Sequence, residues 1–412
     1  MNRLRWAFLL CLGFTAFAAN AQLATETSND SASYVDDGKL KVLIIPVVAG
    51  NPTVGVLFGV LPGLNWNFGD PATTKGSAAL GGFYYTTNNQ LFTSVRGTAF
   101  TAENEWNLML DLRFNLNSQP TYGLGTRPVL SDKTIVGEED TVSDKLFNGV
   151  PVQEMMGFNN FRFYQTALRK VGDLDFYLGL GYHLDIVWAI DDRNLDLANG
   201  DTTFHWDYQN AIGLSKEQYV QSGLSLNALW DSRDNIVNPY SGSYAFASWR
   251  LMPEFLGSTS NATQLWLEYR NYFNLSKKRP RNLLAFWAYG WFVTSGTSSY
   301  MFLPAVGWDM FARSARPYTQ GRFRGQDLLY SELEWRFPLQ RTSDRWGGVI
   351  FLNATTASSR LDQVPLFDYV KLGYGAGLRF MIDKKKRVNL GLDYGRGFNG
   401  ASGFFLNLNE YF

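Results

Sequence analysis

The 412-residue chain carries 37 basic and 37 acidic side chains, so its formal net charge is zero and no global field recruits nucleic acid. Hydrophobic residues make up 45% and aromatics 16%, yet no interior apolar run approaches the roughly 20 residues of a spanning helix, which excludes a helical membrane protein. The longest such run, Val42 to Gly50, is broken by Pro46. Aromatic richness with strong alternation fits membrane-crossing strands flanked by Tyr and Trp girdles.

At the N-terminus, residues 1–21 read as a secretory signal, with Arg3 and Arg5 as the charged region, Trp6 to Ala18 as the apolar core and Ala19-Asn20-Ala21 as the cleavage site. Cys11 is the one cysteine and lies inside that segment, so a mature chain from Gln22 is expected to hold no thiol, disulfide or cysteine metal site. Residues 22–39, rich in Ser, Thr, Asn and Asp, read as a flexible periplasmic lead without room for a folded domain.

Residues 40–412 read as an all-β transmembrane antiparallel barrel of about sixteen strands. In chain order the strands are expected near 40–48, 53–62, 77–87, 90–100, 104–115, 159–170, 173–187 and 217–231, then 242–252, 263–275, 281–294, 328–340, 346–358, 370–382, 387–397 and 402–412. The pattern is clearest from Asp173 to Ile186. There Leu174, Phe176, Leu178, Leu180, Tyr182, Leu184 and Ile186 share one face, and Asp173, Asp175, His183 and Asp185 share the other. The apolar face demands lipid and the charged face a polar lumen. An even strand count puts both termini in the periplasm. Short connections, such as 171–172 and 383–386, then fall on that side, and long ones near 116–158, 188–216 and 295–327 fall outside; the loop near 63–76 is the exception. Basic runs at Lys277 to Arg281 and Lys384 to Arg387 read as solvated turns.

Two motifs go beyond strand periodicity. Asp231-Ser232-Arg233-Asp234-Asn235, followed by Pro239 and Gly242, is turn chemistry in which Asp and Arg can pair locally. Gly321-Arg322-Phe323-Arg324-Gly325-Gln326 precedes a strand reading Ser331-Glu332-Leu333-Glu334-Trp335-Arg336-Phe337-Pro338, whose Glu332 and Glu334 face the lumen. A guanidinium could meet a carboxylate bidentately there. With Tyr122-Gly123-Leu124-Gly125 and a final strand carrying Phe404, Leu406, Leu408 and Phe412 on one face, these segments resemble the BamA/TamA-like outer-membrane assembly and secretion superfamily, also called bacterial surface antigen barrels. The resemblance covers residues 40–412 and is most specific in the C-terminal third. It implies that the sixth extracellular loop folds into the lumen and sets Arg324, at an Arg-Gly tip, against Glu334, with Asn353 at the next strand's customary Asp position. Gln326 stands where the family usually has an aromatic, and Phe323 where it has an aliphatic. The family's periplasmic POTRA domains have no room in residues 22–39, so a barrel-only branch is expected. The final strand reads as the signal by which the barrel assembly machinery receives this chain as a client.

Gly373, Gly375 and Gly377 on one inward face read as barrel curvature or as room for the folded loop. The two histidines offer little for hydrolysis: His183 reads as a lumen hydrogen-bond group, and His205, in an acidic loop with Asp207, has no evident nucleophile. The acidic stretch Asp191, Asp192, Asn194, Asp196, Asn199 and Asp201 lacks the Gly and closing Glu of an EF-type loop, so no metal or other cofactor is expected. The resemblance implies a non-enzymatic outer-membrane factor that handles polypeptide or lipid at a seam between first and last strands, with outer-membrane lipids, periplasmic lipoproteins and client polypeptides as partners. The rivals are a passive or structural barrel, whether solute pore or envelope-complex subunit, and a rim hydrolase.

Overall fold

A computed structural model describes residues 39–51, 55–126, 153–398 and 400–412. The expected signal peptide, nearly all of the lead, and the middle of the connection after the fifth strand lie outside the described residues.

Sixteen strands form one antiparallel sheet in which each pairs with the next in chain order. They are β1 (Lys41–Asn51), β2 (Gly55–Trp66), β3 (Ser77–Thr86), β4 (Leu91–Phe100), β5 (Trp106–Thr121), β6 (Glu154–Lys170), β7 (Phe176–Asp192) and β8 (Tyr219–Asp231). The second half comprises β9 (Gly242–Met252), β10 (Ala262–Asn274), β11 (Leu283–Gly296), β12 (Asp327–Pro338), β13 (Trp346–Ala357), β14 (Lys371–Asp383), β15 (Val388–Gly397) and β16 (Ser402–Leu408). The chain is thus a β-barrel of up-and-down topology. One helix, α1 (Phe204–Ala211), sits in the β7–β8 connection, its first turn capped by the Thr203 hydroxyl, which accepts from the Trp206 amide at 3.2 Å.

Alternation fixes the two faces. On β7, Leu178, Leu180 and Tyr182 are exposed while His183 and Asp185 are buried, and on β12, Leu333 and Trp335 are exposed while Glu332, Glu334 and Arg336 are buried. Exposed apolar side chains on the outward face of the barrel sheet mark the lipid-facing band. The inside is not simply polar, because Trp266, Trp287, Tyr289, Trp291 and Tyr330 project inward and pack with Tyr300, Phe302, Val306 and Phe323 of the β11–β12 connection. The lumen has a packed core, and the loop supplies about a third of it.

β2 and β5 run on to Trp66 and Thr121 and β6 starts as early as Glu154, so the connections expected at 63–76 and 116–158 are shorter, and two further strands differ from their expected bounds. β7 begins at Phe176, and Asp173 and Asp175 belong to the preceding turn, where the Asp175 carbonyl accepts from the Asp231 amide at 2.9 Å and its carboxylate meets Lys75 Nζ at 3.3 Å. β16 ends at Leu408 rather than running to Phe412, because Asn409 takes a left-handed conformation with φ 70° and turns the last residues into the lumen.

Candidate functional site

Connection 297–326 folds inward and is buried along much of its length. Among its buried charges is Arg316, whose side chain is 1% exposed and whose guanidinium donates to Glu332 and Glu334 of β12 and to Asp393 of β15. The ring of Tyr411 lies 3.5 Å from the guanidinium carbon and that of Phe351 lies 3.9 Å from it. Asn353, registered opposite Glu332, donates to that carboxylate at 3.1 Å and to the Arg316 carbonyl at 2.6 Å. Arg336 Nε donates to Glu334 at 2.7 Å, and Arg379 joins Asp393 to Glu410 of the tail, the latter at 2.7 Å. Buried charges are tolerable only when so paired, and this network ties the loop to four strands, β12 to β15, and to the C-terminus.

Backbone space for the loop comes from β14. A Cβ at Gly373 would stand 2.5 Å from the Arg316 carbonyl oxygen, and one at Gly377 would stand 1.7 Å from the Asp393 carboxylate. The glycine face therefore admits both the loop and the acid it binds.

Arg324 is not the residue that meets these acids. Its guanidinium donates to the carbonyls of Tyr300 at 3.0 Å and Leu303 at 3.4 Å, and burial pulls its pKa down because no carboxylate stands beside it. The main chain of this segment does the anchoring instead: Gly125 N donates to Arg324 O at 2.7 Å, Val306 N donates to Phe323 O at 3.0 Å, and Gly325 N donates to Pro304 O at 3.0 Å. Arg322 lies 4.3 Å over the Tyr122 ring. Arg322 to Gly325 thus meets the Tyr122 to Gly125 motif, and Gln326 accepts from the Arg360 amide at 3.0 Å. Arg324 is held back because its segment forms strand-like bridges to Gly125 and Ala305, eight positions beyond the arginine that reaches the wall.

At the opposite mouth, the turn after β8 is built as the residue types dictate. Arg233 grips Asp231 with two bonds of 2.9 and 2.7 Å, and both side chains are buried. Asp234 accepts the amides of Tyr240 at 2.9 Å and Ser241 at 3.2 Å, and Gly242, at φ 96°, lets the chain pass where a Cβ would stand 2.2 Å from the Ser232 carbonyl oxygen. Pro239 lies inside this turn. Arg387 crosses from the β14–β15 turn to Asp234 at 2.7 Å and stacks 4.2 Å over Tyr240. The basic runs are therefore not wholly solvated: Arg281, Lys386 and Arg387 all bind neighbouring turns.

Residues 63–383 match the Omp85 superfamily domain. The chain belongs to that superfamily. Among solved structures, the Omp85 barrel described here is similar to BamA from Haemophilus ducreyi lacking POTRA domains 1–3, at 13% identity and TM-score 0.54, covering 90% of this chain and 70% of that one. It is also similar to CdiB from Acinetobacter baumannii, at 13% identity and TM-score 0.48, covering 90% of this chain and 60% of that one. No curated protein matches in sequence. Membership makes the chain an outer-membrane β-barrel of the assembly and secretion type.

Within this Omp85 barrel the final-strand residues divide. Phe404, 75% exposed, and Leu406 face outward, whereas Leu408 is buried and Phe412, 4% exposed, packs 5.3 Å from the Trp287 ring. Arg336 donates to a Phe412 main-chain oxygen at 2.9 Å, and Arg313 donates to the Leu408 carbonyl at 2.9 Å. His183 bonds Ser225 at 2.8 Å under the edge of Tyr164. His205 lies in α1, buried against Asp192 at 2.7 Å, and not in an open acidic loop. Asp192 is thereby used, Asp196 bonds Asn199, and no group of three or more His, Cys, Asp or Glu gathers as a metal site among the described residues. Arg316, Asp393 and Glu410 stand outside the sequence motifs, and Arg379 is marked there only as an inward position of its strand. Asp393 and Arg379 sit at inward positions of β15 and β14 and were legible there by parity, whereas nothing in the aperiodic loop distinguishes Arg316 from Arg313, Arg322 or Arg324.

Proposed function

We propose that this barrel assists insertion or translocation of polypeptide, or movement of lipid, at the outer membrane through a weak seam between β1 and β16, without covalent chemistry. The observation that carries the reading is the state of the sheet's two edges. β16 pairs with β15 over seven residues, from Ser402 to Leu408, and among the described residues no ladder joins β1 to β16. Pro46, opposite Val60, has no amide hydrogen to offer a neighbour. β1 is apolar on both faces, with Leu43, Ile45 and Val47 on one and Val42, Ile44 and Val48 on the other, so a client strand would meet apolar surface on the lumen side as well as the lipid side. The ion pair of Lys41 with Asp383, at 3.7 Å, brings the first strand to the end of β14.

In this reading the termini and short connections face the periplasm and the long connections face outward. Partners are outer-membrane lipids, client polypeptides and periplasmic lipoproteins, and the chain is itself a client of the barrel assembly machinery. The signals it would use are Phe404 and Leu406 on the lipid face, and Arg316 with Glu332, Glu334 and Asn353 would hold the loop closed, Arg324 and Gly325 staple it to the β5 end, and the Asp231, Arg233, Asp234, Pro239 and Gly242 turn would cap the periplasmic mouth. Liposomes carrying the purified barrel should speed the folding of a urea-unfolded outer-membrane barrel over empty liposomes. Large, steady ion conduction without any such acceleration would instead establish a passive pore.

A further inference from the structure

Between the loop, the C-terminal tail and the inner wall of the barrel lies a lumen cavity of about 170 Å³ lined by arginines that lack counter-charges. Arg250, 9% exposed, projects into it from β9 and makes no hydrogen bond or ion pair among the described residues; its Nε is a buried donor without an acceptor. Its guanidinium carbon lies 5.2 Å from the Tyr164 ring centroid and 5.8 Å from that of Trp291. Arg162 lies 4.5 Å from the same Tyr164 ring, so two guanidinia share one aromatic face while Asp185 serves only Arg162 and the Tyr164 hydroxyl.

Arg96 repeats the shortage. Its nearest carboxylate, Asp111, stands 3.7 Å away and is gripped by Arg113 at 2.6 Å, and the Arg96 Nε also lacks an acceptor. Asp309 is spent on its own loop, accepting the Ser314 hydroxyl at 2.6 Å and the Arg313 amide at 3.0 Å, and the Arg313 guanidinium reaches only tail carbonyls. Around the cavity Arg113 and Arg162 are paired with Asp111 and Asp185, Arg233 and Arg270 with Asp231 and Glu268, and Glu410 is held by Arg379, so Arg96, Arg250 and Arg313 are left without a carboxylate of their own among the described residues. A buried cation without a counter-charge is costly, and a fixed fork of N–H donors suits a tetrahedral oxyanion.

We infer that this cavity is a binding site for a phosphate-type oxyanion, held by Arg250 with Arg96 and Arg162, whether free or as the phosphomonoester of a lipid headgroup. The inference rests on the lumen's own charges and stands or falls apart from the insertion activity proposed above.

The test uses the full barrel in detergent and in phosphatidylcholine nanodiscs, titrated with inorganic phosphate and pyrophosphate at constant ionic strength, read by calorimetry and by thermal midpoint. Wild type should bind saturably, with one site, and gain thermal stability that matched chloride does not supply. Loss of one charge-assisted contact in Arg250→Gln should weaken binding by roughly tenfold or more and abolish the thermal gain. Arg193→Gln, at the exposed Asp191 pair, should bind as wild type. Heat-modifiable gel mobility establishes that each variant is folded, and Arg96→Gln gives the same readout from another strand. Displacement of phosphate by nanodiscs containing phosphatidate identifies the lipid headgroup as source; a site filled by phosphate yet untouched by phosphatidate is one for soluble oxyanions. Absence of saturable binding to wild type, or equal binding by folded Arg250→Gln, overturns the inference.

Discussion

Arg316→Gln should open the lumen, and Arg324→Gln should do much less. Among the described residues Arg316 is the loop's one ion pair with Glu332, Glu334 and Asp393, and removing it leaves those buried acids, together with Glu410, with Arg336 and Arg379 as their paired cations. Stripping one partner from a buried ion pair typically costs about 3–5 kcal/mol, so the undocked loop should become more populated by on the order of a hundredfold or more. Arg324 holds two carbonyls, one of them at a weak 3.4 Å, and its loss should cost roughly 1–2 kcal/mol while the main-chain bridges to Gly125 and Ala305 persist. Planar-bilayer recording separates the two: wild type should pass small, flickering current, Arg316→Gln a larger and longer-lived one, and Arg324→Gln something close to wild type. An Arg324→Gln barrel that opens while Arg316→Gln stays closed would refute the assignment of the loop's anchor.

The tail should respond to acid. Burial alone would raise the Glu410 carboxyl, but Arg379 and Arg336 hold it down to about 2 from an ordinary 4.5. A depressed acid contributes its stability above the ordinary value and loses it as pH falls toward the folded one, so tail docking should lose roughly 3 kcal/mol between about pH 4.5 and 2. Bilayer current should rise across that window in wild type and be raised and flat in Glu410→Gln. Phe412→Ala removes a ring packed on Trp287 and Tyr272 and should cost about 3–5 kcal/mol in thermal unfolding, whereas Phe404→Ala, on the lipid face, should cost far less; equal losses would argue that the tail is not docked.

Much of the barrel was legible because its two faces meet different solvents. Apolar residues at every second position and turn chemistry between them specify sixteen strands in order, and β9 falls on the residues that the pattern gives, Gly242–Met252. The wall acids Glu332 and Glu334 follow from parity, Asn353 from the family resemblance, and Glu332 and Asn353 stand opposite each other once β12 and β13 pair. The loop is different. Its backbone follows no period, so which of four arginines reaches the acids is decided by three-dimensional packing against the Gly373 and Gly377 face, and a motif resemblance selected Arg324 where geometry selects Arg316.

The end of β16 carried a readable signal that alternation supplied. Were the strand to run on to Phe412, positions 404, 406, 408, 410 and 412 would share the lipid face, and the fourth of these is Glu410. A carboxylate there would face hydrocarbon, a position membrane barrels avoid. Turning at Asn409 takes Glu410 off that face and sets it against Arg379 and Asn389, and it carries Tyr411 onto Arg316 and Phe412 onto Trp287. One charged residue thus decides three things together: where the last strand stops, that the C-terminus enters the lumen, and that the tail and the inward loop share one set of counter-ions. Because Arg316, Asp393, Arg379 and Glu410 form a continuous chain of contacts, releasing either the loop or the tail leaves the other with unpaired buried charge. Motion at the edge that β16 forms is therefore expected to be coupled to motion of the loop that fills the lumen.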